Sequence, residues 1–249
     1  MSLVFKDLSH DRAYSAWKTL FTDAVKVCKF VRGHQTPAAL LRKLSSKTCI
    51  MPADTRFAKY FLVVVRLLSL KNDLRKMLLD DKFDAYEKRN TKEKRRSVIK
   101  PVKKLINKNS MWKMAEFFVQ LLGPTYKLLR ALDGDSPMIA DLIPEYQELI
   151  VKAELMLHDE QWEWAKHLVR DFLRILRERW TYMYHPVMGA AYALNPKYIG
   201  TALKPMPGVN YVQALQVRVH TWYALHLHDS MPAPQHQLLT RGSLASNVG

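Results

Sequence analysis

Apolar side chains recur at steps of three and four through most of this chain, the spacing that lines one face of an α-helix. The first stripe lies within residues 11–31 and passes Tyr14, Trp17, Leu20 or Phe21, Ala24, Val27 or Cys28 and Val31, with Gly33 as a stop signal. Thr36-Pro37 then predicts a short second helix through Leu44, with Thr36 as N-cap and Pro37 in the first turn. Residues 45–53 read as a loop. Asp54 predicts the cap of the next helix, whose stripe passes Phe57, Tyr60 or Phe61, Val64, Leu67 or Leu68 and Lys71. The β-branched run Val63-Val64-Val65 would suit a strand, but the helical period continues on both sides of it, so a helix is predicted. Helix continues from Asn72 to Arg89, with a break near Asp80-Asp81.

In the second half, Trp112, Ala115, Phe118, Leu122, Tyr126 and Leu129 predict a helix from Ser110 to Leu132, kinked at Gly123-Pro124. The run Asp133-Gly134-Asp135-Ser136-Pro137 signals a turn and a helix start. Behind it come Ile139, Leu142 or Ile143, Tyr146, Leu149 or Ile150, Ala153 and Leu157, with Pro144 bending the first turns. The longest pattern begins at Glu160. Trp162, Ala165, Val169, Phe172, Leu176, Trp180 and Met183 share one stripe, and Lys166, Arg170, Arg174 and Arg177 lie off it. It breaks at His185-Pro186 and runs on through Ala190-Ala191-Tyr192 to Leu194-Asn195-Pro196. Pro205, Pro207 and Gly208 mark a boundary, residues 209–228 suggest a weak helix, and the remainder has the composition of a disordered tail. There is no fixed-period repeat and no convincing strand pair. The expected fold class is all-α, with a helical region over 1–200 and a divergent, partly disordered tail over 201–249.

Composition supports this and adds a partner. Of 249 residues, 48% are hydrophobic, enough for a packed core, and only eight are glycine, few for the turns and phosphate loops of an α/β enzyme. Lys and Arg number 39 against 23 carboxylates, a net +16 that implies a polyanionic partner, most often nucleic acid, unless it is only a soluble basic surface. The excess is concentrated. Over residues 82–113, Lys82, Lys88, Arg89, Lys92, Lys94, Arg95, Arg96, Lys100, Lys103, Lys104, Lys108 and Lys113 face only Asp84, Glu87 and Glu93, so this stretch holds +9 of the +16. Phosphate neutralisation needs such a concentration. The same stretch also reads as a two-part nuclear localisation signal or as a plain solvated helix. Thr55-Arg56-Phe57 sets a cation beside an aromatic ring, a pair that can hold a phosphate and stack a base, or Phe57 is simply the first core residue of its helix.

Other chemistry is sparse. Cys28 falls on an apolar helical face as core filling, and neither it nor Cys49 belongs to a CxxC pair. The charged N-terminus does not suit a signal peptide, and the longest apolar run, Phe61 to Val65, is far short of the roughly 20 residues a membrane helix needs. No GxxxxGK[ST], GxGxxG, HExxH or GxSxG occurs. Asp80-Asp81 and Asp133-x-Asp135 read as a helix end and a turn rather than metal ligands, and His220, His226, His228 and His236 lack ligand spacing. No cofactor, metal, membrane or small-molecule substrate is therefore expected.

The order of motifs over residues 11–200 resembles hAT-family DNA transposases and their domesticated plant relatives. Lys29-Phe30-Val31 closes a helix, and a short helix over Ala38 to Leu44 follows. Next come Pro52-x-x-Thr55-Arg56-Phe57 and Leu67-Leu68-x-Leu70-Lys71-x-x-Leu74-Arg75. Trp112 leads into Leu121-Leu122-x-Pro124 and Leu128-Leu129-x-x-Leu132-Asp133-Gly134-Asp135, and Arg179-Trp180, His185-Pro186 and Ala190-Ala191-Tyr192-x-Leu194-Asn195-Pro196 close the set.

The resemblance implies the multi-helix insertion domain that interrupts an RNase H-like catalytic core. Where the family usually carries Trp after Thr-Arg, to hold a flipped base, Phe57 offers a smaller stacking face and no indole N–H. The three carboxylates that would hold two metal ions, the zinc finger and the C-terminal dimerisation block have no counterpart here. The resulting expectation is a catalytically incomplete, nuclear, transposase-derived protein, not an enzyme. It binds DNA through Arg56, Phe57, Lys92, Lys94, Arg95, Arg96, Lys100, Lys103 and Lys104. The alternatives are a protein-interaction or dimerisation module, pairing with itself or with related transposase-like proteins, and a truncated gene product.

Overall fold

The first stripe folds as its spacing predicts. In a computed structural model that describes residues 14–53, 58–90 and 93–198, with side chains from residue 17 onward except 93–97, helix α1 spans Tyr14–Gly33. It buries Trp17, Leu20, Ala24, Val27, Cys28 and Val31. Around it pack α2 (Gln35–Leu44), α3 (Lys59–Ser69), α6 (Glu93–Asn107) and α7 (Asn109–Leu132), while α4 (Lys71–Leu78) and α5 (Asp81–Arg89) close over α2. The described residues hold no strand, and Val63 and Val64 are buried within α3.

Aromatic rings join these helices where α1 crosses α7. Trp17 stacks on Phe117 at 5.8 Å and tilts against Phe118 at 5.0 Å. Phe21 stacks on Tyr60 of α3 at 4.8 Å, and Phe117 also meets Trp162 at 5.3 Å. Such offset and edge contacts add to the burial of large rings. The second half is an antiparallel pair, α8 (Leu142–His158) and α9 (Lys166–Met183), with α10 (Pro186–Leu194) laid on α8. Tyr146, in the first turns of α8, reaches the last turns of α9, where its hydroxyl donates to the Leu176 carbonyl at 2.8 Å and its ring meets Trp180 at 4.7 Å. One continuous core runs from Trp17 to Tyr192.

Several boundaries differ from the sequence expectation, each for a local reason. Helix α2 starts at Gln35, not behind a Thr36 cap, because the His34 carbonyl accepts the Ala38 N–H at 3.1 Å. Pro37 then sits in the first turn, where its missing N–H costs no helical bond. The expected cap Asp54 lies outside the described residues, as do residues 209–228. The helix expected to run on through Lys71 breaks at Leu70, whose N–H bonds the Leu67 carbonyl in a tighter 3₁₀ step. Leu70, Leu74 and Met77 are all buried at and beyond the break. The expected break near Asp80 is present, and the Asp80 carboxylate caps α5 by accepting the Lys82 N–H at 2.8 Å.

Helix α7 is continuous across Gly123-Pro124, with Leu121, Leu122, Leu128 and Leu129 buried on both sides of the proline. Ser136-Pro137 does not start a helix; α8 begins only at Leu142. The single helix expected from Glu160 is two elements. Residues Glu160–Ala165 form a 3₁₀ turn, in which Trp162 has φ −108° and ψ 15°, ahead of α9. That turn lets Trp162 point into the core at 1% exposure, and Asp159 caps it by accepting the Gln161 N–H. His185 caps α10 and Asn195 ends it, as expected. The turn Pro196–Tyr198 is tied back to α8, because Lys197 Nζ and the Tyr198 hydroxyl both donate to Asp141.

One contact fixes the end of α6. The Trp112 indole N–H donates to the Ile106 carbonyl at 2.7 Å inside the core. Ile106 is in the last turn of α6, where carbonyls have no partner within the helix, so α7 caps α6. Trp112→Phe should cost about 1–3 kcal/mol by leaving that buried carbonyl unpaired, measurable as a lower urea midpoint at unchanged slope.

Candidate nucleic-acid interface

Helix α6 is shaped by two competing demands. Ile99, Val102 and Ile106 recur at helical steps and are buried against α1, α4 and α7. The intervening positions are left for charge. Lys100 and Lys104, one turn apart, are exposed, and Lys108 in the link to α7 is exposed too. None of the three has an ion-pair partner among the described residues. Helix α5 buries only Phe83 and leaves Lys82, Lys88 and Arg89 exposed. Lys113 extends the zone onto α7, with its ammonium over the Trp164 ring at 5.6 Å.

Lys103 behaves differently from its neighbours. It is half-buried and paired with Glu87 of α5 at 2.8 Å, so its charge is already matched within the fold. A phosphate would have to compete with that carboxylate. Beside this pair is a shallow cleft of about 540 Å³ lined by Arg75, Leu79, Asp84, Lys103, Asn107 and Asn109. Arg75 donates to the Asn109 side chain at 2.8 Å across it. The cleft brings together amide and guanidinium donors from α4, α6 and α7. Arg75, Asn107 and Asn109 were not among the expected site residues, since nothing in their local spacing reveals that three helix ends converge.

Of the predicted site residues, Lys100, Lys103 and Lys104 share α6. Lys94, Arg95 and Arg96 belong to its first turn, and only their backbone is described. Arg56, Phe57 and Lys92 lie outside the described residues. Among the described residues no three His, Cys, Asp or Glu side chains converge as metal ligands. Asp80 serves as a helix cap, and Asp133 and Asp135 are exposed in a turn. No helix of the described residues is long and apolar enough to cross a membrane.

No family model, curated protein or solved structure matches this chain. The reading of the interface therefore rests on its own charge and geometry.

The surface is one of exposed, separate cations rather than a rigid charged pocket. Exposed Lys side chains are compact cations on flexible stems and contact phosphate without fixing a base.

Proposed function

We propose that this protein binds DNA through the backbone phosphates, using the basic zone of α5 and α6, and that it is a catalytically incomplete relative of the hAT transposases. The observation that carries the reading is the pairing pattern on α6. Glu87, a carboxylate within the zone, is spent on Lys103, and Lys100, Lys104 and Lys108 are exposed without an ion-pair partner among the described residues. The ordered motifs from Lys29-Phe30-Val31 to Asn195-Pro196 support the transposase ancestry. A nuclear location fits both the partner and the basic stretch, and strand cleavage is not part of the reading.

Fluorescence anisotropy with a short labelled duplex tests it. The full chain should bind at about 50 mM salt and lose affinity steeply as salt rises, because each phosphate contact releases counterions. Unrelated duplexes should bind within a few-fold of one another. No binding at the lowest salt would sink the proposal. A second reading, a protein-docking module, has one observation in its favour. Val151 and Leu155 lie one turn apart on the outer face of α8, and Leu155 is 62% exposed.

A further inference from the structure

The chain has two cysteines, and the fold brings them together. Cys28 lies on the buried face of α1, Cys49 in the segment 45–53 that follows α2, and both are free and buried. Their side chains face each other, with the Ile50 backbone beside the Cys28 sulfur. The segment is held over α1 from both sides. Arg32 donates to the Cys49 carbonyl at 3.5 Å and Arg66 to the Thr48 carbonyl at 3.2 Å. Cys49 also lines a cleft of about 280 Å³ with Arg32, Leu41, Arg42 and Thr48, large enough to admit a small oxidant.

From this geometry we infer that Cys28 and Cys49 form an oxidisable dithiol, which hydrogen peroxide closes into an intramolecular disulfide that pins the 45–53 segment to α1 and a dithiol reductant reopens. Core filling alone would place two sulfurs anywhere among the apolar side chains. Contact between the only two, one of them at a cleft flanked by two guanidinium groups, is the arrangement of an attacking and a resolving cysteine.

The roles follow from the surroundings. The Cys28 thiol donates to Cys49, and Arg32 and Arg66 lie near it; together these hold the Cys49 thiol below its usual value against the opposing effect of burial. The bond Cys28 donates and its own burial push Cys28 up. Cys49, which lines the cleft beside Arg32 while Cys28 does not, is thus the attacking cysteine. Its sulfur takes one oxygen of the peroxide; the S–O bond forms, the O–O bond breaks, and hydroxide leaves to be protonated to water. Cys28 then loses its proton and attacks the Cys49 sulfur. The S–S bond forms, the S–O bond breaks, and the departing hydroxide takes up that proton as a second water. Two thiols have lost two electrons and one peroxide has gained them. The closed state should melt several degrees higher, since the link spans a loop from α1 to the far side of α2.

The test exposes the folded full-length protein to a small molar excess of hydrogen peroxide, then denatures it and alkylates with N-ethylmaleimide. Intact mass should show both thiols blocked to alkylation and the chain lighter by two hydrogens. Tryptic mapping should recover peptide 27–29 joined to peptide 48–56, separable by dithiothreitol. Cys28→Ser should stop at a sulfenic acid on Cys49, trapped by dimedone, while Cys49→Ser should give no adduct. Two alkylated thiols after peroxide, or a disulfide found only between two chains, would overturn the proposal. A dimedone adduct on Cys28 in the Cys49→Ser variant would overturn the assignment of roles.

Discussion

Trp180→Ala should destabilise the protein by about 3–5 kcal/mol, against a total that for domains is only about 5–15 kcal/mol. Trp180 is 1% exposed, and its ring meets Tyr146 at 4.7 Å and Tyr184 at 5.7 Å. It therefore closes the far end of the α8–α9 pair, where the Tyr146 hydroxyl also ties α8 to the Leu176 carbonyl. Removing the ring leaves a cavity between the two helices. For a domain of this size the melting temperature should fall by roughly 10 °C, at about 2–4 °C per kcal/mol. Trp180→Phe separates the ring from its polar atom. The Trp180 indole N–H is buried with no hydrogen-bond partner among the described residues, so the phenyl ring loses volume but no bond and should cost only about 1–2 kcal/mol. This is the opposite of Trp112, whose N–H caps α6 and whose Phe replacement breaks a bond. Urea unfolding of the four proteins, wild type included, checks the pattern. An equal loss for Trp180→Phe and Trp180→Ala would mean that the aromatic volume is not what holds this end together.

The same residues show what the sequence makes legible and what it hides. Trp17, Ala24, Val27 and Val31 repeat at helical steps, so α1 and its buried face can be read before folding. The stripe of Val169, Phe172, Leu176 and Trp180 is equally plain, and all four are buried on α9. The elements at its two ends are less so. Trp162 continues the same numerical period yet belongs to a 3₁₀ turn, and no residue type there marks the change of backbone. Leu70 hides a break in the same way: no Gly or Pro marks it, and the apolar period of Leu67, Leu70 and Leu74, all buried, runs straight through it. Periodicity records which residues are apolar; it does not record the angle at which their helix must meet its neighbours. The site divides in the same way. Charge density is a property of the chain, so the basic zone is visible as +9 over residues 82–113. Pairing is a property of the fold. Lys103 and Glu87 are 16 residues apart on separate helices, and Cys28 and Cys49 look like isolated core fillers until α1 and the 45–53 segment meet.

Lys94→Ala/Arg95→Ala/Arg96→Ala should weaken duplex binding by about 100- to 1,000-fold near 0.1 M salt, if each side chain neutralises one phosphate. The logic is counterion release. Each contact contributes a slope of about −0.9 to the plot of log affinity against log salt, so three lost contacts should flatten it by about 2.7. Lys100→Ala/Lys104→Ala should flatten it by about 1.8, two contacts' worth, from side chains whose exposure on α6 is established. Neither variant touches Ile99, Val102 or Ile106, and Ala is the best helix former, so α6 should persist and the melting temperature should hold. Lys103→Ala should do less, because its ammonium is already matched by Glu87. Glu87→Gln should act in the opposite direction, releasing Lys103 to the phosphates, tightening binding and steepening the slope by up to about 0.9. A control at Lys152, exposed on the distant α8, should leave both affinity and slope unchanged. The pattern distinguishes a specific basic face from a diffuse positive cloud. If only net charge mattered, Lys152→Ala would weaken binding as much as Lys100→Ala alone, and Glu87→Gln would gain no more than neutralising any other carboxylate. An unchanged slope in the triple variant would remove α6 from the interface altogether.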